Sequence, residues 1–290
     1  MLAVVASFRD PEIAEASYMP CFRNIIAGAA VGAGAAGYAI TVGWASVDGR
    51  VETQLSYDGV ILVDPMPSDP VVERELAGGR PVLALGGYGS RPGLPLRTVR
   101  LDIRSGLPTL MDQWADRPTD QEIRPAIFVG PRLDHFTNDA IAAFQRWCSE
   151  RGVLAQGGAL EPGESLEAAA MRLVSAKVRP TLVHCMNESF SAAVVDAAKR
   201  IGVSVPGELR VSTVGNPHGL SAQTGVDYLA TDPVQNGVMA ARMMAEMLGD
   251  TPVEDAVLAL PHHPALGLTL GECLRPDAGP LMLGAASNPS

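Results

Sequence analysis

The sequence predicts an α/β protein in which parallel sheets are flanked by helices, and three observations carry that reading. Short apolar runs rich in β-branched residues, the first being Leu2–Ala6, alternate with longer Ala-rich stretches, the first spanning Glu12–Ala36. That alternation is the signature of βαβ units. Several runs end in a small or acidic residue, as at Asp64, Gly86, Asp102, Gly130, Asn187 and Gly215. In an open parallel sheet, the crevice beyond the carboxyl ends of the strands is where ligands bind. Finally, 290 residues at 47% hydrophobic and 19% charged can bury a substantial core.

Tyr38–Trp44 reads as the second strand. The run Ile25–Val42 is long enough to span a membrane, but its middle is Ala and Gly, and Arg23 and Asn24 abut it. A buried helix leading into a strand accounts for it. Buried-strand candidates continue at Gly59–Val63, Pro81–Leu85, Thr98–Leu101, Ala126–Val129, Thr181–Cys185 and Val211–Val214, with weaker ones at Tyr228–Thr231 and Val257–Leu260. Helices are marked by their ends: Asn138–Arg151 by a capping Asn138 and by Gly152, Ser189–Ile201 by Gly202, and Val234–Leu248 by Gly249. In the last of these, Met239, Met243 and Met244 fall at helical spacing and read as a packing face. At least nine strand candidates exceed one small doubly wound domain, so two lobes sharing crossover strands are expected. The polar, proline-bounded stretch Pro118–Pro125 is the expected first crossing, and Pro276–Ser290 reads as a flexible tail.

Charge and cysteine usage exclude several classes. Lys+Arg 22 against Asp+Glu 32 leaves a net charge of −10, without the cation excess that binding along a nucleic acid requires. Cys21, Cys148, Cys185 and Cys273 lie far apart with no CxxC pair, which signals neither a disulfide framework nor a zinc clip and suits a reducing cytoplasm. The opening MLAVVASFRD is too short in apolar length for a signal peptide.

Several motifs reduce to local structure. Gly32-Ala33-Gly34-Ala35-Ala36-Gly37 matches GxGxxG as a string, with Asp48 placed near the end of the next strand, but the first strand ends some two dozen residues earlier. A dinucleotide fingerprint needs its glycines directly after a strand, so these are expected at a helix end, serving helix–sheet packing. Gly86-Gly87-Tyr88-Gly89 follows a strand without the Lys-Ser/Thr of a phosphate loop, and no GxSxG elbow occurs. His184 and Cys185 are adjacent on a strand, point to opposite faces and read as core. His262-His263-Pro264 lacks the partners of a metal site, and His218, directly after Val211–Val214, is the histidine expected to face the crevice.

The segment from Pro180 to Gly215 reads strand, polar Asn187-Glu188, helix, Gly202, Val205-Pro206, strand. It closely resembles the effector domain of LacI/GalR-type transcription regulators. Tyr57-Asp58-Gly59-Val60-Ile61-Leu62, Arg80-Pro81-Val82-Leu83, Val99-Arg100-Leu101-Asp102 with Gly106, Phe144 to Gly152, and Leu258–Leu260 with Pro261 resemble further stretches of that family in the same order. The resemblance implies a two-lobed periplasmic-binding-protein-like fold of type I with a ligand cleft between the lobes. Its lobes would be 1–123 with 232–260 and 124–231 with 261–275, followed by the tail 276–290.

The same resemblance implies an effector-sensing and dimerisation region with no chemistry of its own and no cofactor. It would be a cytoplasmic homodimer away from membranes, taking a sugar or other polar metabolite and reaching DNA only through a helix-turn-helix headpiece absent from this chain. Ala140 replaces an Arg of the sugar-binding members, Asn216-Pro217-His218 replaces the acid of their "GFDD", and Asp232 stands where they often carry Gln. These departures set the chain apart from them. The implied ligand contacts are Phe8 as a stacking or packing wall, Asp64, Asn187 and Glu188 at strand ends, Asn216 and His218 in the following loop, and Asp232. Asp64 and Asn187 also have local readings, as the cap of a turn and of a helix. The alternatives are a solute-binding protein of a transporter and an α/β nucleotide-dependent enzyme.

Overall fold

The computed structural model describes residues 1–7, 19–89, 91–116, 122–131, 134–161, 163–219, 222–249 and 253–264. Phe8 and the tail 276–290 lie outside them. The strands are β1 (Leu2–Ala6), β2 (Ile40–Ala45), β3 (Val51–Glu52), β4 (Gly59–Val63), β5 (Val82–Leu85), β6 (Leu96–Leu101), β7 (Pro125–Val129), β8 (Gln156–Ala159), β9 (Leu182–Cys185), β10 (Arg210–Gly215), β11 (Val226–Ala230), β12 (Ala256–Leu258) and β13 (His262–His263). The helices are α1 (Met19–Ala35), α2 (Pro70–Ala77), α3 (Ile103–Ala115), α4 (His135–Glu150), α5 (Leu166–Val174), α6 (Glu188–Arg200) and α7 (Pro233–Leu248).

The strands form two sheets, ordered β12-β6-β5-β4-β1-β2-β3 and β13-β11-β10-β9-β7-β8. Neighbours pair parallel except β2 with β3 and β11 with β13. In each sheet the order reverses beside the first strand, β1 or β7, which is the topological switch point of a doubly wound fold.

Burial explains the apolar runs. β1, β4, β5, β7 and β9 are buried along their whole length, because helices cover both faces of each sheet. On one face of the first sheet, Leu2, Val4 and Ile61 pack against Phe22, Ile25 and Ala29 of α1 and Ala240 and Met244 of α7. On the other, Val5, Val60 and Leu62 pack against Val71 and Val72 of α2. The second sheet packs Phe128 and Val183 against α5 and α6 on one face and Ile127 and Val129 against α3 and α4 on the other.

Three expectations are corrected. Of the GxGxxG string only Gly32 packs closely, and it serves helix–helix rather than helix–sheet packing: a Cβ on it would run into the backbone of Val238, as one on Gly28 would into Val234 and one on Gly237 of α7 into Ile25, while Gly34 and Gly37 have nothing within 4 Å. The helix ends at Ala35 as expected, with Gly37 at φ 81° beyond it. Second, α4 is capped by Asp134, whose Oδ1 accepts the Thr137 N–H at 2.7 Å, and not by Asn138, which lies inside the helix. Third, the chain passes between sheets at Leu101–Ile103 and not at Pro118–Pro125, since Ile103, Leu107, Leu110 and Trp114 of α3 pack with Ile127, Phe144 and Leu182. Thus α3, which a boundary at 123 leaves with the first lobe, lies on the second sheet.

The crossings are joined by backbone hydrogen bonds. Asp102 N–H donates to Leu258 O at 2.7 Å, and Ala230 N–H to Pro261 O at 2.8 Å. Among the described residues, no helix is long and apolar enough to cross a membrane.

Candidate functional site

Parallel strands put their carboxyl ends, and the helix N-termini that follow them, along one side of each sheet. The two sides meet at Cys21, in the first turn of α1. Desolvation pushes its thiol up to about 12, with the carboxylates of Asp64 and Glu188 adding to the rise. The residue is exposed to solvent. Asp64 follows β4 of the first sheet and Glu188 opens α6 over the second. One acid from each sheet thus lies close enough to act on the same thiol.

Each acid is seated against a glycine of the neighbouring strand end. Asp64 sits at φ 49°, its N–H donating to Leu85 O at 2.7 Å. A Cβ on Gly86, itself at φ 111°, would collide with Asp64 Oδ1. Glu188 Oε1 accepts the Asn216 N–H at 3.2 Å. A Cβ on Gly215 would stand 2.6 Å from Glu188 Cγ and 2.7 Å from Oε1.

Asn187 caps α6, its Oδ1 accepting the N–H groups of Ser189 and Phe190 at 3.0 and 3.1 Å. Its Nδ2 is buried without a hydrogen-bond partner, a donor left over at the strand end. Asn216 Oδ1 accepts the His218 N–H at 2.9 Å. His218 is exposed, with its ring edge-on to His263 at 5.1 Å. Asp232, also exposed, caps α7 by accepting from Val234 and Gln235 at 3.0 and 3.2 Å. Asp64, Asn187, Glu188 and Asn216 thus stand at strand ends of the two sheets, while His218 meets His263 of β13 and Asp232 opens α7. Gly86 and Gly215 stand at strand ends, as the sequence implies, whereas Cys21 carries no sequence signal for its place near Asp64 and Glu188.

The remaining reactive side chains are occupied elsewhere. His184, 1% exposed, pairs through Nδ1 with Ser212 Oγ at 2.8 Å, and burial pushes it down to about 3. Cys185 faces the opposite core, where burial raises its thiol. His262 turns inward, with Nε2 3.3 Å from Asp227 Oδ1, which sets it apart from His263. Among the described residues, no group of three or more His, Cys, Asp or Glu could hold a metal ion.

Residues 115–268 match the model of the periplasmic binding protein-like domain. No curated protein matches the chain. Among solved structures, a LacI-family transcriptional regulator from Bifidobacterium animalis subsp. lactis is similar at 20% identity and TM-score 0.71, over 91% of this chain and 95% of that one. A LacI-family regulator from Corynebacterium glutamicum is similar at 16% identity and TM-score 0.75, over 91% and 85%. The transcriptional regulator CelR in complex with cellobiose is similar at 17% identity and TM-score 0.69, over 90% and 82%. At these identities the likeness concerns the fold, which is the two-sheet, two-lobe architecture described above. With more than half of its length matched by the family model, the chain belongs to the periplasmic binding protein-like domain family.

Proposed function

We propose that this chain is the effector-sensing and dimerising region of a LacI-type transcription regulator. A small polar molecule binds between the lobes, and the resulting shift in lobe arrangement controls DNA binding through a separate headpiece. The observation that carries the reading is the meeting of both sheets' carboxyl ends around Cys21, with Asp64 and Glu188 contributed from opposite sides. The solved regulators of similar fold, one of them holding cellobiose, support it. In this reading the lobes are 1–101 with 232–258 and 102–231 with 260–264, a division that the packing of α3 on the second sheet supports. Asp64, Asn187, Glu188 and Asn216 contact the effector, with His218 and Asp232 at the margins and Phe8 as a wall. The protein works in the cytoplasm and performs no chemistry of its own. The dimer forms at the β2–β3 end of the first sheet, where Val31 of α1 and Val42 and Trp44 of β2 are 64%, 43% and 42% exposed.

Physically, the effector shifts a two-state equilibrium by as much as its affinities for the two lobe arrangements differ. The test is thermal unfolding of the purified chain against sugars, polyols, nucleosides and amino acids. A ligand at a hundred times its Kd stabilises by about 2.7 kcal/mol. A hit lost in Asn187→Ala supports the reading. Silence across the panel in folded, ligand-free protein counts against it.

A further inference from the structure

We propose that Tyr88 and His135 form a latch between the two lobes, so that one aromatic pair helps to set how far the cleft stands open. The proposal concerns regulation of the cleft described above, and rests on reading that space as one that opens and closes. The chain leaves β5 through Gly86 and Gly87, at φ 111° and 105°, where a residue with a Cβ would be strained. A Cβ on Gly87 would also stand 3.0 Å from Arg100 Cγ and 3.7 Å from His135 Cβ. The bare backbone is what lets this loop approach α4.

The loop delivers Tyr88, 8% exposed, into the α2 side of the first core. Its ring meets that of His135 edge-on, with centroids 5.4 Å apart and planes at 63°, inside the range of about 4.5–7 Å over which such pairs attract. Each partner is fixed to its own lobe. His135 is the first residue of α4, next to the buried cap Asp134. On the other side, the Arg91 guanidinium stands 5.9 Å from the Tyr88 ring centroid, and its Nη1 donates to Glu73 Oε2 of α2 at 2.8 Å. Among the described residues, this is the ring–ring contact that joins the lobes.

The pair lies where a hinge motion breaks it. β5 stands two strand spacings, about 10 Å, from β12 at the crossing. A hinge rotation of about 20° on that arm moves the ring by about 3 Å, beyond contact range.

Cys21 supplies the readout, because its solvent-exposed thiol feels an acid of each lobe, Asp64 and Glu188, whose distance from it changes when the lobes part. The measurement is the rate at which iodoacetamide alkylates Cys21 in ligand-free protein, followed by peptide mass spectrometry so that Cys148, Cys185 and Cys273 are counted separately. His135→Ala, which leaves the start of α4 intact, is expected to raise that rate about two- to tenfold, the population change that one aromatic pair supports. His135→Phe restores a ring and returns the rate to that of the wild type. Tyr88→Leu removes the ring from the other lobe while keeping an apolar side chain, and gives the same rise. Equal rates in the wild type and in whichever of these two variants melt cooperatively overturn the latch. So does a rise in His135→Phe as large as in His135→Ala. Because no effector is added, failure of the latch and failure of the sensor reading are separate outcomes.

Discussion

Replacing Gly28 by Ala probes the α1–α7 contact that shapes one side of the first lobe. A new Cβ there would run into the Val234 carbonyl, and Gly32 faces Val238 and Gly237 faces Ile25 in the same way. Main chain rather than a side-chain tip blocks each position, so the helices must part. Overpacking costs about 1–3 kcal/mol, and Gly→Ala regains about 0.8–1.0 kcal/mol of helix propensity. With backbone on both sides the upper end of the cost applies, which leaves a net loss of about 2 kcal/mol. At about 2–4 °C per kcal/mol for a chain of this size, Tm falls by about 4–8 °C. Gly34 is the control: it lies in the same helix, is exposed, and has nothing within 4 Å of an added Cβ. Gly34→Ala gains up to about 0.5–1 kcal/mol and raises Tm slightly. The assay is scanning calorimetry of both variants beside the wild type. A Gly28→Ala variant that melts at or above the wild type, or a shift of the same sign in both, would refute the close-packing argument.

Three further outcomes follow from the site and the core. Gly215→Ala displaces the flexible Glu188 side chain and costs its hydrogen bond from Asn216, so Tm drops only a few degrees while effector affinity falls at least about tenfold; an unchanged Kd by calorimetric titration rules Glu188 out of the contact. Cys21, its thiol pushed up to about 12 from an ordinary 9.0, should react with iodoacetamide at pH 8 well over tenfold more slowly than a free thiol, and a rate equal to that of free cysteine contradicts the raised thiol. His184, pushed down to about 3 from 6.5, takes up a proton on unfolding below pH 6.5. It therefore costs stability as pH falls through the unfolded pKa, about 1.4 kcal/mol by pH 5.5, with the loss complete near pH 3. His184→Gln should lose less stability than the wild type between pH 7 and 5, and parallel pH profiles would dispose of the argument.

Local signals were legible where the cause was local. Asn187 was readable as a cap, because an amide before a helical run accepts the first free N–H groups, and it does so. The misplaced GxGxxG string was readable as a helix end from its distance to β1. The partner that Gly32 packs against was not, because α7 lies some two hundred residues further along the chain. Asn138 and Asp134 are both competent caps, and only the packing of α4 selects the buried Asp134. β8, with the sequence Gln156-Gly157-Gly158-Ala159, has no β-branched residue and exists as a strand by pairing with β7 at the sheet edge. The placement of α3 on the second sheet is likewise set by nonlocal contacts of Leu107, Leu110 and Trp114. At the site, the acids and Asn187 announced themselves at strand ends. Cys21 belongs to no motif, and its place emerges only when both sheets are assembled.

The most direct test of a cleft shared by both lobes is amide hydrogen exchange with and without the first compound that stabilises the chain. Protection should appear together at 64–66 and 86–88 of one lobe and at 187–191 and 215–216 of the other. Protection confined to a single lobe, or centred away from these strand ends, would contradict an effector held between them.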